Sequence, residues 1–164
     1  MSGSTRASHH HVALRRCPDL VLVLDTPKGR GVFAAQDIPA RTVIETCPAL
    51  VLGIEENEEH IRHTSLYHYT YNWPVRDAEG KMKTAQAVIF GLGSMFNHAR
   101  DQNVGWDRDV SRFLVRYQTL RDVKAGEELC ISYGERLTFK DTDAPVDVSE
   151  GDGTDVLNSI QLDP

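Results

Sequence analysis

The stretch "GLGSMFNHARDQNVGWD" runs from Gly91 to Asp107. Its three glycines, its Asn97-His98 pair and its second asparagine, Asn103, suit neither a helix face nor a regular strand. It follows "AQAVIF" (85–90), a short apolar run that reads as a buried strand. Gly91 and Gly93 would turn the chain out of that strand, and Met95 and Phe96 would anchor the turn in the core. Alone, the Asn97-His98 pair is an ordinary loop feature, so its meaning depends on what the rest of the chain brings to it.

Upstream, "DLVLVLD" (19–25) reads as a strand and "TPKGRG" as a turn. "GVFAAQDIPARTVIETCPALVLG" (31–53) reads as strand, turn at Pro39, strand, closed by Gly53. "EENEEHIRHTSLYHYT" (55–70) opens with carboxylates suited to a helix N-terminus and predicts a helix. "RDAEGKMK" (76–83) predicts a polar, hairpin-like loop. Downstream, "RFLVRYQTL" (112–120) alternates apolar and polar residues, the mark of a half-buried strand. "RDVKAGEELCISYG" (121–134) supplies a turn at Gly126 and a last strand ending at Tyr133. Many short strands and one or two helices make a mainly β fold.

With 164 residues the chain suits one compact domain. The longest apolar runs fall far short of the roughly 18 residues of a membrane helix. "MSGSTRASHHHVALRR" lacks the apolar centre of a signal peptide, and residues 1–18 read as a soluble, flexible lead-in. Cys17, Cys47 and Cys130 share no CxxC spacing and read as thiols of a reducing compartment, cytoplasm or nucleus. The net charge of −6 is misplaced if read as a property of the body. Residues 141–164 hold seven acidic residues and no Lys or Arg, so the remainder carries +1. No basic stripe of a nucleic-acid binder is present. His60, His63 and His68 form no tetrahedral ligand set, and no metal is expected.

Three separated segments carry the chemistry: "KGRGVFA" (28–34), "GSMFNHARDQN" (93–103) and "GEELCISYGE" (126–135). In this order and at these intervals they resemble the SET-domain protein-lysine methyltransferases. That family carries a Gly-x-Gly segment, an Asn-His segment and a Gly-Glu-Glu segment ending in Tyr-Gly. The match spans residues 29–135, and the absence of flanking cysteine-rich modules is similar to short stand-alone fungal and viral members. The resemblance implies a SET fold of small curled sheets with a C-terminal pseudoknot over 19–140, followed by an acidic tail at 141–164. It also implies S-adenosylmethionine as methyl donor, S-adenosylhomocysteine as product, and a protein lysine as acceptor, first of all on a histone tail such as that of H3.

The resemblance places Gly29, Arg30, Gly31, Val32, Phe96, Asn97, His98, Tyr133 and Phe139 around the cofactor. Residue chemistry agrees: glycines admit close backbone approach, and Asn97 offers both donor and acceptor to a zwitterion. Arg30 faces either the cofactor carboxylate or solvent. His98 is not assigned as a base, while Tyr133 is the catalytic residue, its hydroxyl orienting methyl and amine. Tyr69 and Tyr71, with Tyr133, are candidates to wall the lysine channel, the alternative being core packing. Ile131 falls where relatives carry Phe or Tyr that influences methyl number, and an aliphatic there leans toward di- or trimethylation.

Ala99 stands where Ser is commoner, and no zinc-bound cysteine segment closes the site. "RLTFKD" (136–141) would have to do so, through Leu137 or Phe139. The alternatives are a non-catalytic SET-fold peptide-binding or scaffolding module, or a methyltransferase for a non-histone protein. A homodimer is expected, without a membrane partner, and a nuclear location with cytoplasm as the alternative.

Overall fold

The computed structural model describes residues 11–134. Nine strands and one α-helix follow in chain order. These are β1 (Leu20–Thr26), β2 (Gly29–Ala34), β3 (Val43–Val51), α1 (Ile54–Glu59) and β4 (Thr70–Arg76). After them come β5 (Met82–Ile89), β6 (Asn97–His98), β7 (Val104–Asp109), β8 (Leu114–Thr119) and β9 (Cys130–Ile131). β1 and β2 form an antiparallel pair, and β4-β5-β3-β8-β7 form an antiparallel sheet. β6 and β9 pair in parallel, Asn97 opposite Cys130 and His98 opposite Ile131.

The five-stranded sheet curls. β4 and β7 are its two edges, yet Tyr71 of β4 meets Trp106 of β7 edge-on, with ring centroids 5.4 Å apart. Inside the curl lie Ile44, Cys47, Trp73, Ile89, Phe96, Val115, Tyr117, Leu129 and Ile131. The alternation of β8 produces this directly, with Val115 and Tyr117 inward and Arg116 outward. The expected mainly β class is the one observed.

Three expectations about elements need correction. The helix expected over 55–70 stops at Glu59 and gives way to two 3-10 turns, Ile61–His63 and Ser65–Tyr69. Between them Thr64 is extended, and its hydroxyl donates to the Ile61 carbonyl at 2.8 Å, offering the backbone a local alternative to the helix. The polar loop expected at 76–83 shrinks to a turn on Asp77, whose carboxylate accepts from Glu79 N–H and Lys81 N–H, while β4 and β5 extend toward it. β7 was not expected at all. Its "WDRD" reads as polar, but Asp107 pairs with Arg116 across the strands at 3.1 Å. In the same strand the Arg108 guanidinium lies 5.6 Å and 5.0 Å from the ring centres of Trp73 and Trp106.

The lead-in is also shorter than residues 1–18. Cys17 N–H donates to the Ile44 carbonyl at 2.8 Å, and Arg16 bridges to Glu45, so the chain is already tied to β3 there. Residues 1–10, Leu137, Phe139 and the acidic tail lie outside the described residues.

Candidate active site

The short parallel pair β6–β9 sets the centre of the site, because it lays the Asn-His segment against the segment that carries Tyr133. Asn103 latches the two. Its buried amide donates to the Glu128 carbonyl at 2.7 Å and to Glu127 Oε1 at 3.1 Å, and its Oδ1 accepts from Cys130 N–H at 2.9 Å. Tyr133 N–H donates to His98 Nδ1 at 3.2 Å, so that ring nitrogen is an acceptor and His98 acts as a brace. The Tyr133 hydroxyl donates to the Phe96 carbonyl. Burial pushes the Tyr133 phenol up to about 12, so it stays protonated at neutral pH and serves as a donor, not a base.

The Gly-x-Gly segment meets the same centre from β2. Asn97 Nδ2 donates to the Arg30 carbonyl at 2.9 Å and to Glu128 Oε1 at 2.7 Å. A Cβ on Gly31 would lie 2.4 Å from Glu128 Oε1 and 3.2 Å from Asn97 Nδ2, too close for either to keep its place. Glycine lets β2 approach this pair without displacing the Asn97–Glu128 hydrogen bond. Lys28 donates to the His98 carbonyl at 3.1 Å.

Two clefts converge here. One, of about 660 Å³, is lined by Leu24, Lys28, Gly29, Arg30, Phe96, Asn97 and His98. The other, of about 1190 Å³, runs along Tyr67, Tyr71, Trp106 and Arg108. His68, Tyr69, Ser94 and Tyr133 line both. The smaller cleft falls in the size range of sites for nucleoside-sized ligands, roughly 300–1,000 Å³. Its polar groups, Asn97 and the Gly29–Arg30 backbone, fit a zwitterionic head, and its apolar wall of Leu24 and Phe96 fits a flat ring system.

Most of the expected site residues therefore meet. Tyr69 and Tyr71 line the larger cleft, and the Tyr71 hydroxyl donates to the Gly93 carbonyl at 2.6 Å. Burial raises the Tyr71 phenol, and that of Tyr117, whose hydroxyl donates to the Tyr71 oxygen at 3.1 Å. Gly31, Val32 and Ile131 need correction. All three are buried and line neither cleft: Gly31 packs on the Asn97–Glu128 pair, and the inward phase of β2 and β9 takes the side chains of Val32 and Ile131 away from the site. Glu128 went unassigned in the sequence, as did Ser94 and His68. Glu128 carried a signal, an acid one residue before the apolar run "LCI" in a motif otherwise fully accounted for.

Comparison with known proteins decides the family. The SET domain model matches residues 29–134, well over half of the chain. The chain belongs to the SET-domain family. It is 51% identical over 114 residues to "Histone-lysine N-methyltransferase, H3 lysine-37 specific" of Schizosaccharomyces pombe, across 70% of this chain and 72% of that protein. Among solved structures it resembles a Plasmodium falciparum protein solved as a candidate histone methyltransferase, with TM-score 0.52 and 21% identity. That match covers 72% of this chain and 95% of the other. It also resembles CpSET8 from Cryptosporidium, with TM-score 0.53 and 20% identity, over 71% of this chain and 58% of that one. At such identities the two structures speak for the fold alone, and the SET fold is what they share with this chain.

Proposed function

We propose that this SET-domain protein is a histone-lysine methyltransferase that takes its methyl group from S-adenosylmethionine. The observation that carries the reading is the meeting of two clefts at Tyr133, with a protonated hydroxyl fixed on the Phe96 carbonyl between them. Asn97, His98 and the Gly29–Arg30 backbone would hold the donor in the smaller cleft. When bound, the donor supplies a methyl on a sulfonium, whose S–C bond breaks as the N–C bond to the lysine amine forms.

The protein's share is alignment and dehydration. Tyr69, Tyr71 and Tyr133 wall the approach of the lysine stem, and the amine must arrive neutral to attack. Free lysine titrates near 10.4, and a water-poor aromatic channel disfavours its charged form. The three tyrosines act as donors or walls, and His98 Nδ1 is occupied by Tyr133 N–H. The amine gives up its proton before attack, favoured by the water-poor channel.

The fungal relative names the first substrate to assay, histone H3 at lysine-37. A homodimer and a nuclear location complete the proposal, the first from the small size of the domain. The test is direct. Purified full-length protein should bind S-adenosylmethionine in calorimetry and move tritiated methyl to recombinant H3. H3 with arginine at position 37 should lose the label. Binding without transfer to any histone would sink the enzymatic reading, and transfer undiminished on the arginine-substituted H3 would sink the site preference.

A further inference from the structure

Arg16 lies outside the segment that matches the family, yet its half-exposed guanidinium completes an ion pair with a buried carboxylate that reaches the site. Arg16 Nε donates to Glu45 Oε1 at 2.8 Å, and Nη2 donates to the same oxygen. Glu45 is only 8% exposed, and among the described residues Arg16 is the cation paired with it. The other oxygen, Glu45 Oε2, accepts from Leu92 N–H at 2.8 Å. Gly91, at φ +70°, packs its backbone so close that a Cβ there would lie 2.8 Å from Glu45 Oε1. The carboxylate thus grips the 91–93 turn directly.

That turn leads into the catalytic carbonyls. Met95 N–H donates to the Leu92 carbonyl at 2.8 Å, the Gly93 carbonyl accepts from the Tyr71 hydroxyl, and the Phe96 carbonyl accepts from the Tyr133 hydroxyl. Cys47, beside Glu45, keeps its proton because burial and the Glu45 charge push its thiol up to about 12, so it offers no counter-charge.

We propose that Arg16 is a positioning residue for methyl transfer: it neutralises Glu45, whose carboxylate then holds the turn that carries the carbonyl acceptors of Tyr71 and Tyr133. Without Arg16 a buried carboxylate is left half-satisfied, and such a group draws in water or a proton. Either outcome loosens Leu92 N–H. The kinetic arm of this inference rests on the function proposed above.

The test compares full-length Arg16→Met, Arg16→Lys, Tyr133→Phe and Arg16→Met/Tyr133→Phe. Arg16→Met should lower kcat about tenfold while the histone KM changes less than about twofold, as for a lost transition-state alignment. Arg16→Lys should restore most of it. The double variant should lose clearly less than the product of the two single losses, since both act on the Tyr133 hydroxyl. Multiplying losses would overturn the proposal, as would a kcat that falls only with the folded fraction. Amide exchange gives a readout apart from activity: residues 91–96 should exchange about tenfold faster in Arg16→Met, with Val115 and Tyr117 unchanged, as local opening requires. Unchanged exchange at 91–96 would overturn it even if the wild type transferred no methyl. That last result would instead defeat the proposed function. Should Arg16→Met not fold, Glu45→Gln provides the control, because an amide at 45 needs no counter-charge. In that background Arg16→Met should fold and leave exchange at 91–96 unaltered, and a loss as large as in the parent would refute the mechanism.

Discussion

Tyr133 is where sequence and geometry agree most closely. Its place at the end of "ISYG" was legible only through the resemblance carried by the three segments together, because a tyrosine ending a strand is by itself an ordinary core or rim feature. What the sequence could not show is its acceptor. The Phe96 carbonyl comes from a segment 37 positions away, and only the β6–β9 pairing brings them together. With the phenol held near 12 by burial, the hydroxyl orients and does not deprotonate. Tyr133→Phe should therefore lower kcat on the order of 100-fold, the cost of one lost directional donor, with S-adenosylmethionine affinity within threefold. A variant with full kcat in a tritiated-methyl assay would show that the hydroxyl is not catalytic. Val32 and Ile131 show the opposite case. A motif assigns a neighbourhood, while strand phase decides which side chain in it turns toward the ligand.

Single elements were legible where hydrophobic periodicity was strong. β1, β3 and β8 follow alternation or β-branched runs, and they are where expected. β7 was hidden because Asp107 finds its partner, Arg116, on the neighbouring strand and Arg108 lies over the Trp73 and Trp106 rings, and a sequence displays no such partners. The helix after Gly53 was over-read because carboxylates in a first turn signal a start and say nothing about an end. β9 holds only Cys130 and Ile131, too short for pairing alone to secure it. Asn103 supplies the missing restraint, with bonds to Glu128 and Cys130 in the same segment. Asn103→Ala would strand a buried N–H and a buried carbonyl, and should cost about 2–3 kcal/mol. Urea unfolding would show this as a lower midpoint at unchanged slope. A loss under about 0.5 kcal/mol would mean that β9 is held without this latch.

At the scale of the molecule, the curl of the sheet could not be read from any one segment. It arises when β4 and β7, the two edges, meet through Tyr71 and Trp106, and the contact creates the larger cleft. The site depends on how the 126–134 segment is moored to this curl, and part of the mooring is ionic. Glu127 accepts from the Arg121 guanidinium, from Lys124 N–H at 3.0 Å and from Asn103 at 3.1 Å. Chiefly through Arg121, these bonds hold its carboxyl down to about 2, below the ordinary 4.5. As pH falls, the unfolded chain therefore takes up this proton first. The stabilisation is whole above about pH 4.5 and disappears as pH drops toward about 2. Asp37, lowered by Lys124, and Asp109, lowered by Ser111 and Arg112, contribute with the same sign. Because Glu127 is solvent-accessible, its share should be modest and should shrink in high salt. The difference isolates it: Glu127→Gln should be less stable than wild type at pH 7, and the gap in urea midpoint should close between pH 4.5 and pH 2. Two midpoint curves that stay parallel across that window would mean that the carboxylate charge does not moor the segment. The mooring would then rest on Asn103 and on the backbone bonds to β2, from Leu129 N–H to the Val32 carbonyl and from Ala34 N–H to the Glu127 carbonyl.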